Sequence, residues 1–187
     1  YYQEKTSNDG NTAAKSLSTF VSKTNSNGGY YLGRYEASQG SDGKVDCQAN
    51  KTPWGSITQP NASEKARTMY SSSYVDSDLI NSYSWDTAIV FIQKYSGNSN
   101  YANKTSVNSS RVNTGMSGDK VCNIHDMASN RSEWSTEHST HTDSSSYPCV
   151  GRGGYYGDSN GTTSIYYHNS TTGNDAYVSF RPLCYVK

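Results

Sequence analysis

The clearest hydrophobic pattern in the chain is the stripe Trp85, Ala88, Ile89 and Ile92, whose spacing predicts a helix over residues 85–95. Ser84 stands where an N-cap belongs, and Asp86 falls in the first turn, where a negative charge meets the helix dipole. Ala13, Leu17, Phe20 and Val21 predict a second short helix over 12–23, broken by Asn25-Ser26-Asn27-Gly28-Gly29. Residues 63–70 suit a third. The Tyr-rich run 30–36 reads as a strand, while 38–61 and 96–118 read as long polar loops. Beyond Val121, strand-like pieces at 121–125, 133–136, 148–153, 164–167 and 177–186 alternate with Gly, Ser and Asn turns. Two or three short helices early and short strands late predict one α+β domain over 1–187, with a small twisted antiparallel sheet and much loop.

Composition sharpens this picture. Ser (32), Asn (17), Thr (17) and Tyr (17) make up close to half of the 187 residues, whereas Leu, Ile, Val and Phe together number 23. So few aliphatics would suit a disordered chain, but the 17 Tyr and three Trp can supply the missing apolar area. The core is therefore expected to be aromatic. Sixteen basic residues balance sixteen acidic ones, which argues against a nucleic-acid binder working by bulk charge. No run of 18 apolar residues occurs, so no membrane insertion is expected. Cys47, Cys122, Cys149 and Cys184 are widely spaced, and either buried thiols or one or two disulfides would suit them. His138-Ser139-Thr140-His141 lies in a polar stretch without a neighbouring Cys or paired carboxylate, so it reads as solvated loop and no metal ligand is assigned. Nucleotide, nucleophile-elbow and zinc-protease motifs are missing, and no cofactor is expected.

One stretch carries more. Asp126-Met127-Ala128-Ser129-Asn130-Arg131-Ser132-Glu133-Trp134-Ser135-Thr136-Glu137 resembles the DMxGNVWEWxxD signature of the formylglycine-generating-enzyme family. Arg152-Gly153-Gly154-Tyr155 resembles its RGGSW motif, Ser179-Phe180-Arg181-Pro182 its closing GFR, and residues 31–37 its early strand. The order and spacing agree over residues 30–186. The resemblance implies a C-type-lectin-like fold in which Trp134 plugs the core, Arg152 and Arg181 tie loops together, and Gly153 and Gly154 allow backbones to approach. Two departures stand out. Arg131-Ser132 replace Val-Trp of the signature, and residues 155–163 lack the cysteine pair that the catalytic members carry after RGGS. The copper-dependent oxidase chemistry of that family is therefore not expected, since neither Gly nor Ser can replace a thiolate nucleophile or soft-metal ligand. A fixed-specificity calcium lectin is a further alternative, but its Glu-Pro-Asn or Gln-Pro-Asp triplets are absent.

Residues 138–186 contain no Lys, Glu, Gln, Met or Trp, although residues 1–137 contain nine, five, five, three and three of them. Those five residue types are the ones that Asn codons cannot reach when only their adenines mutate. Diversity-generating retroelements mutate adenines in this way, and the chain resembles their variable proteins, in particular the gut-bacterial and phage branch. That resemblance implies a non-enzymatic binding protein on a phage virion or bacterial surface, directed at an unknown protein or glycan on a cell surface. Residues 138–177 would be its hypervariable segment. The segment interleaves Tyr with Ser, Asn, Gly, Asp and His, a mixture that offers large contact area at low entropic cost plus adaptable hydrogen bonds. The candidate binding residues are His138, Thr140, His141, Asp143, Gly151, Tyr155, Tyr156, Asp158, Asn160, Tyr166, Tyr167, His168, Asn174, Asp175 and Tyr177. Arg131 and Ser132 join them through their departure from the signature.

Overall fold

The computed structural model describes residues 3–4, 17–70 and 72–187. In chain order the elements are β1 (Gln3–Glu4), α1 (Leu17–Ser26), β2 (Tyr31–Leu32), β3 (Ser38–Gln39), β4 (Val45–Asp46), α2 (Gln59–Arg67), β5 (Val75–Leu79) and α3 (Ser82–Tyr95). A 3-10 turn over Tyr101–Asn103 follows. Then come β6 (Lys120–Val121), β7 (Ile124–His125), β8 (Ser132–His138), β9 (Cys149–Arg152), β10 (Tyr166–Asn169), β11 (Val178–Phe180) and β12 (Pro182–Val186). The chain is an α+β protein with long connecting loops.

The helices form where the apolar stripes lie, but their ends are set by caps. Asn81, rather than Ser84, caps α3, its side chain accepting from the Ser84 N–H at 2.9 Å. The α2 helix starts four residues before its predicted position. Thr58 caps it and Pro60 sits in its first turn, where a missing N–H costs nothing. For α1, the predicted residues 12–16 lie outside the described ones, and Phe20 is its buried anchor. The predicted strand 121–125 is a tight hairpin, with Cys122 and Asn123 both at positive φ between β6 and β7. The predicted strand 177–186 breaks at Arg181 into β11 and β12, which enter different sheets.

The larger sheet runs β1-β8-β9-β10, with β11 also paired to β8. That last pairing is parallel, so this sheet is mixed, not purely antiparallel. A second sheet orders β2-β12-β5. The central strand β8 is buried over residues 132–137, and its two faces do different work. Trp134 plugs a core with Ile57, Leu79, Val178 and Phe180, its indole N–H donating to the Ile57 carbonyl at 2.9 Å. Its neighbour Glu133 turns the other way and meets Arg181. A second core gathers Trp85, Ile89, Ile92, Tyr101 and Met127 beneath α3, and a third joins Phe20 to Leu183 and Tyr185.

Buried polar clamps hold the loops. Arg181 and Glu133 are both fully buried. Arg181 Nε reaches Glu133 Oε2 at 2.9 Å, and its two terminal nitrogens donate to the Gly33 and His125 carbonyls at 2.7 Å each. Arg152 pairs with Asp86 on α3 and with Glu137 on β8. Gly153 has a φ of +80°, and a Cβ there would meet the Met127 carbonyl at 2.6 Å.

Trp134→Ala is expected to cost roughly 3–5 kcal/mol, as truncation of a buried large side chain does. Arg181→Met should cost about as much, because it strands the Glu133 charge. Tyr156→Ser should cost less than about 0.5 kcal/mol. Urea denaturation of the three variants checks this ordering.

Candidate functional site

The candidate residues collect around β10, the edge strand of the larger sheet. Successive side chains of a strand point to opposite faces, so β10 divides them into two neighbouring groups. On the inner face Tyr167 lies against Trp134, ring centroids 5.8 Å apart, and opposite Gly151 in the β9 register. Tyr177 follows at 6.5 Å from Tyr167, Tyr155 stacks on Tyr177 at 4.8 Å, and Tyr156 meets Tyr155 edge-on at 5.9 Å. Tyr155, Tyr167 and Tyr177, with Asp158, Ile165 and Tyr166, line a pocket of about 200 Å³, and Tyr156 stands beside it through its contact with Tyr155. The polar rim includes Asp175, which accepts from the Asn169 amide at 2.8 Å. Burial and then the Asp175 carboxylate push the Tyr177 phenol up to about 12, so it stays a neutral donor.

On the outer face His168 meets the loop between β8 and β9. Its Nε2 lies 3.2 Å from Asp143 Oδ2, while Asp143 Oδ1 lies 2.6 Å from His141 Nδ1. The two imidazoles stack at 4.9 Å with planes 21° apart. The His141 hydrogen bond holds the Asp143 carboxyl below its usual range, so it stays ionised. Tyr147 flanks His168 at 6.0 Å. Tyr166 also borders a second cleft of about 340 Å³ beneath α3, lined by Asp86, Val90, Glu137 and Arg152.

Three candidates are buried, although one of them, Ser132, lines the base of the tyrosine pocket. Arg131 uses its backbone N–H on Glu36 and its guanidinium on the Ala176 carbonyl, lying so close under Gly55 that a Cβ there would overlap it. Ser132 donates to the Gly153 carbonyl at 2.9 Å. Gly151 is covered by the Tyr167 ring. The departure of Arg131-Ser132 from the signature is thus accommodated inside the fold. His138 ends β8 half-buried, opposite Gln3 and Cys149, so it belongs to a strand where a loop was expected. Thr140, Asn160 and Asn174 are exposed, and Asn160 joins the pocket group through its backbone N–H, which donates to Asp158 Oδ1 at 2.9 Å. Tyr147 and Ile165 were missed by the sequence reading. Each is a large apolar residue inside the polar segment 138–177, which is the signal that could have found them, and the structure leaves both exposed.

No family model matches the chain, and no curated protein matches it. A solved structure described as "Crystal Structure of CarF" overlays on 60% of this chain at 17% identity and a TM-score of 0.44. The overlay spans about half of that structure's own length, 48%. At that score the likeness carries no argument about fold family or activity.

Tyr167 generates a test of its own. Its hydroxyl is buried with no hydrogen-bond partner among the described residues. Tyr167→Phe should therefore leave stability unchanged or raise it by up to about 1–2 kcal/mol, since it removes an unpaired polar group. Gly151→Ala should lower stability by roughly 1–3 kcal/mol, because its Cβ would fall 2.2 Å from the same ring. Denaturation midpoints of the two variants check both signs.

Proposed function

We propose that the chain is the variable protein of a diversity-generating retroelement, a non-enzymatic receptor- or ligand-binding domain on a C-type-lectin-like scaffold of the formylglycine-generating-enzyme kind. The observation that carries the reading is the coincidence of two boundaries. The segment that lacks Lys, Glu, Gln, Met and Trp is also the one that supplies the tyrosines around the edge-strand pocket. Tyr166 is exposed and Tyr155, Tyr156 and Tyr177 are half-buried, and Asp158 and Asp175 stand beside them as polar neighbours. Paired aromatic anchors with small polar residues around them are how adaptable paratopes bind. Tyr167, half-buried on Trp134, would serve as the floor of the pocket.

Three of the four thiols favour binding over oxidase chemistry. Burial pushes the Cys47 thiol up to about 12 and raises that of Cys184, and Cys149 is fully buried. A thiol held protonated in this way is a poor nucleophile or soft-metal ligand. The target would be a protein or glycan on a cell surface, met by the chain as part of a phage virion or bacterial surface.

Grafting segment 138–177 of a sister variant onto this framework should change which glycans or surface proteins bind on an array, with Tm nearly unchanged. For a captured target, Tyr155→Ala or Tyr177→Ala should weaken binding at least about thirtyfold, as loss of an aromatic hot spot of about 2 kcal/mol does. Binding that survives both the graft and the tyrosine variants overturns the proposal. At the DNA level, a near-copy of the stretch encoding 138–186, differing mainly at adenines and lying beside a reverse-transcriptase gene, is expected.

A further inference from the structure

Of the four histidines in the chain, two converge with a carboxylate at the outer face of the edge strand. One ligating atom each from His141, Asp143 and His168 lie within 4.8 Å of one another. Zinc holds its nitrogen and oxygen ligands at about 2.0–2.2 Å, which puts neighbouring ligands of a tetrahedral site about 3.4 Å apart. The two His–carboxylate distances in this cluster, 2.6 Å to Asp143 Oδ1 and 3.2 Å to its Oδ2, are shorter than that spacing, so the side chains would part by up to about 0.8 Å to admit an ion.

The backbone holds the donors in place. The Ser139 N–H donates to the Pro148 carbonyl at 2.9 Å, closing the base of the loop. Within the loop, the N–H groups of Ser146 and Tyr147 both donate to the Asp143 carbonyl, at 2.9 and 3.0 Å. His168 comes from β10, paired opposite Val150. The imidazoles are stacked, and the two oxygens of Asp143 bridge them.

We propose that His141, Asp143 and His168 form a binding site for a divalent transition-metal ion of the zinc class. Two imidazoles and one carboxylate are a nitrogen-rich set that zinc, nickel or copper prefer, whereas calcium and magnesium take oxygen ligands. The three side chains keep 54%, 40% and 27% of their surface, so an ion can enter directly from solvent. Three protein ligands leave a fourth position open, as in sites that take water or an incoming donor. The inference rests on this geometry alone and stands whether or not the segment is diversified.

The test is a zinc titration of the untagged full chain by calorimetry, with the imidazole nitrogens followed by NMR. One equivalent of zinc should bind and shift the ring signals of His141 and His168, while those of His125 and His138 stay in place. His168→Ala should weaken binding by at least about tenfold, the least that loss of a ligand costs where even a supporting contact costs that much. Asp143→Asn should weaken it in the same sense, and millimolar calcium should not compete. Thermal melting of both variants tracks their folding. Absence of saturable zinc binding overturns the proposal. So does zinc binding that persists in the His141→Ala/His168→Ala double variant, which would place the ion on thiols or elsewhere, and so does displacement by calcium.

Discussion

The charge of Arg181, buried at 0% exposure, is the constraint on which the rest of the domain depends. Burial works against that charge. Glu133, and then Glu36 and Asp126, outweigh it and hold the guanidinium above its ordinary pKa. The same crowding acts in reverse on Glu36, where burial first and the Asp126 and Glu133 charges next push the carboxyl well above the usual range. A buried guanidinium is tolerable only when each N–H direction meets an acceptor. Here the acceptors come from Gly33, His125 and Glu133, so satisfying one side chain fixes three stretches that are far apart in sequence. Arg181 also sits where β11 hands over to β12, and it thereby joins the two main sheets.

A chain this poor in aliphatic residues needs such devices. Area burial by Trp85, Trp134, Tyr101 and Phe180 packs the centre, but aromatic rings alone do not fix the path of long loops. Buried carboxylates and amides do that. Asp119 accepts from the Ala128 N–H at 2.8 Å and from the Tyr101 hydroxyl at 3.2 Å, and it pairs with Lys104. Glu36 accepts from the Asn130 amide and the Arg131 N–H, and Asp126 takes the Gly115 N–H while itself at a φ of +67°. The cost of leaving any of these groups unpaired in a low-dielectric interior is what makes the loop conformations specific.

This arrangement separates what must stay from what can change. The clamps lie along β8 and the loops beside it, whereas the half-buried tyrosine stack and the histidine cluster flank β10 at the sheet's edge. An edge strand bonds a neighbour on one side only, so its side chains and the loops around it can alter with little effect on the core. The buried members of residues 138–177 obey the opposite logic. Gly151 admits no Cβ beneath Tyr167, and Arg152 is tied to Asp86 and Glu137.

How much was legible depended on the range of the interaction that decided each feature. The α3 stripe, the mixed α+β character and the strands β8 and β9 follow from local spacing, which the sequence carries directly, whereas β5 fell in no predicted element and β10 lies two residues beyond its predicted place. The start of α2 was legible too, in Thr58 and Pro60, but the proline reads first as loop punctuation. Trp134, Arg152 and Arg181 could be singled out because distinctive residues fall in a recognisable order. Their partners could not, since Ile57, Asp86 and Gly33 lie 66 to 148 residues away, and no local pattern marks a carbonyl as an acceptor. The Tyr, Ser, Asn and His content of 138–177 was determined by the sequence alone. Which of those residues stand outside, that Arg131, Ser132 and Gly151 are inside, and that His168 meets His141 and Asp143, were decided only by tertiary structure. The reason is that exposure and convergence depend on which strand pairs with which, and strand pairing is settled by burial across the whole fold rather than by neighbours in the chain.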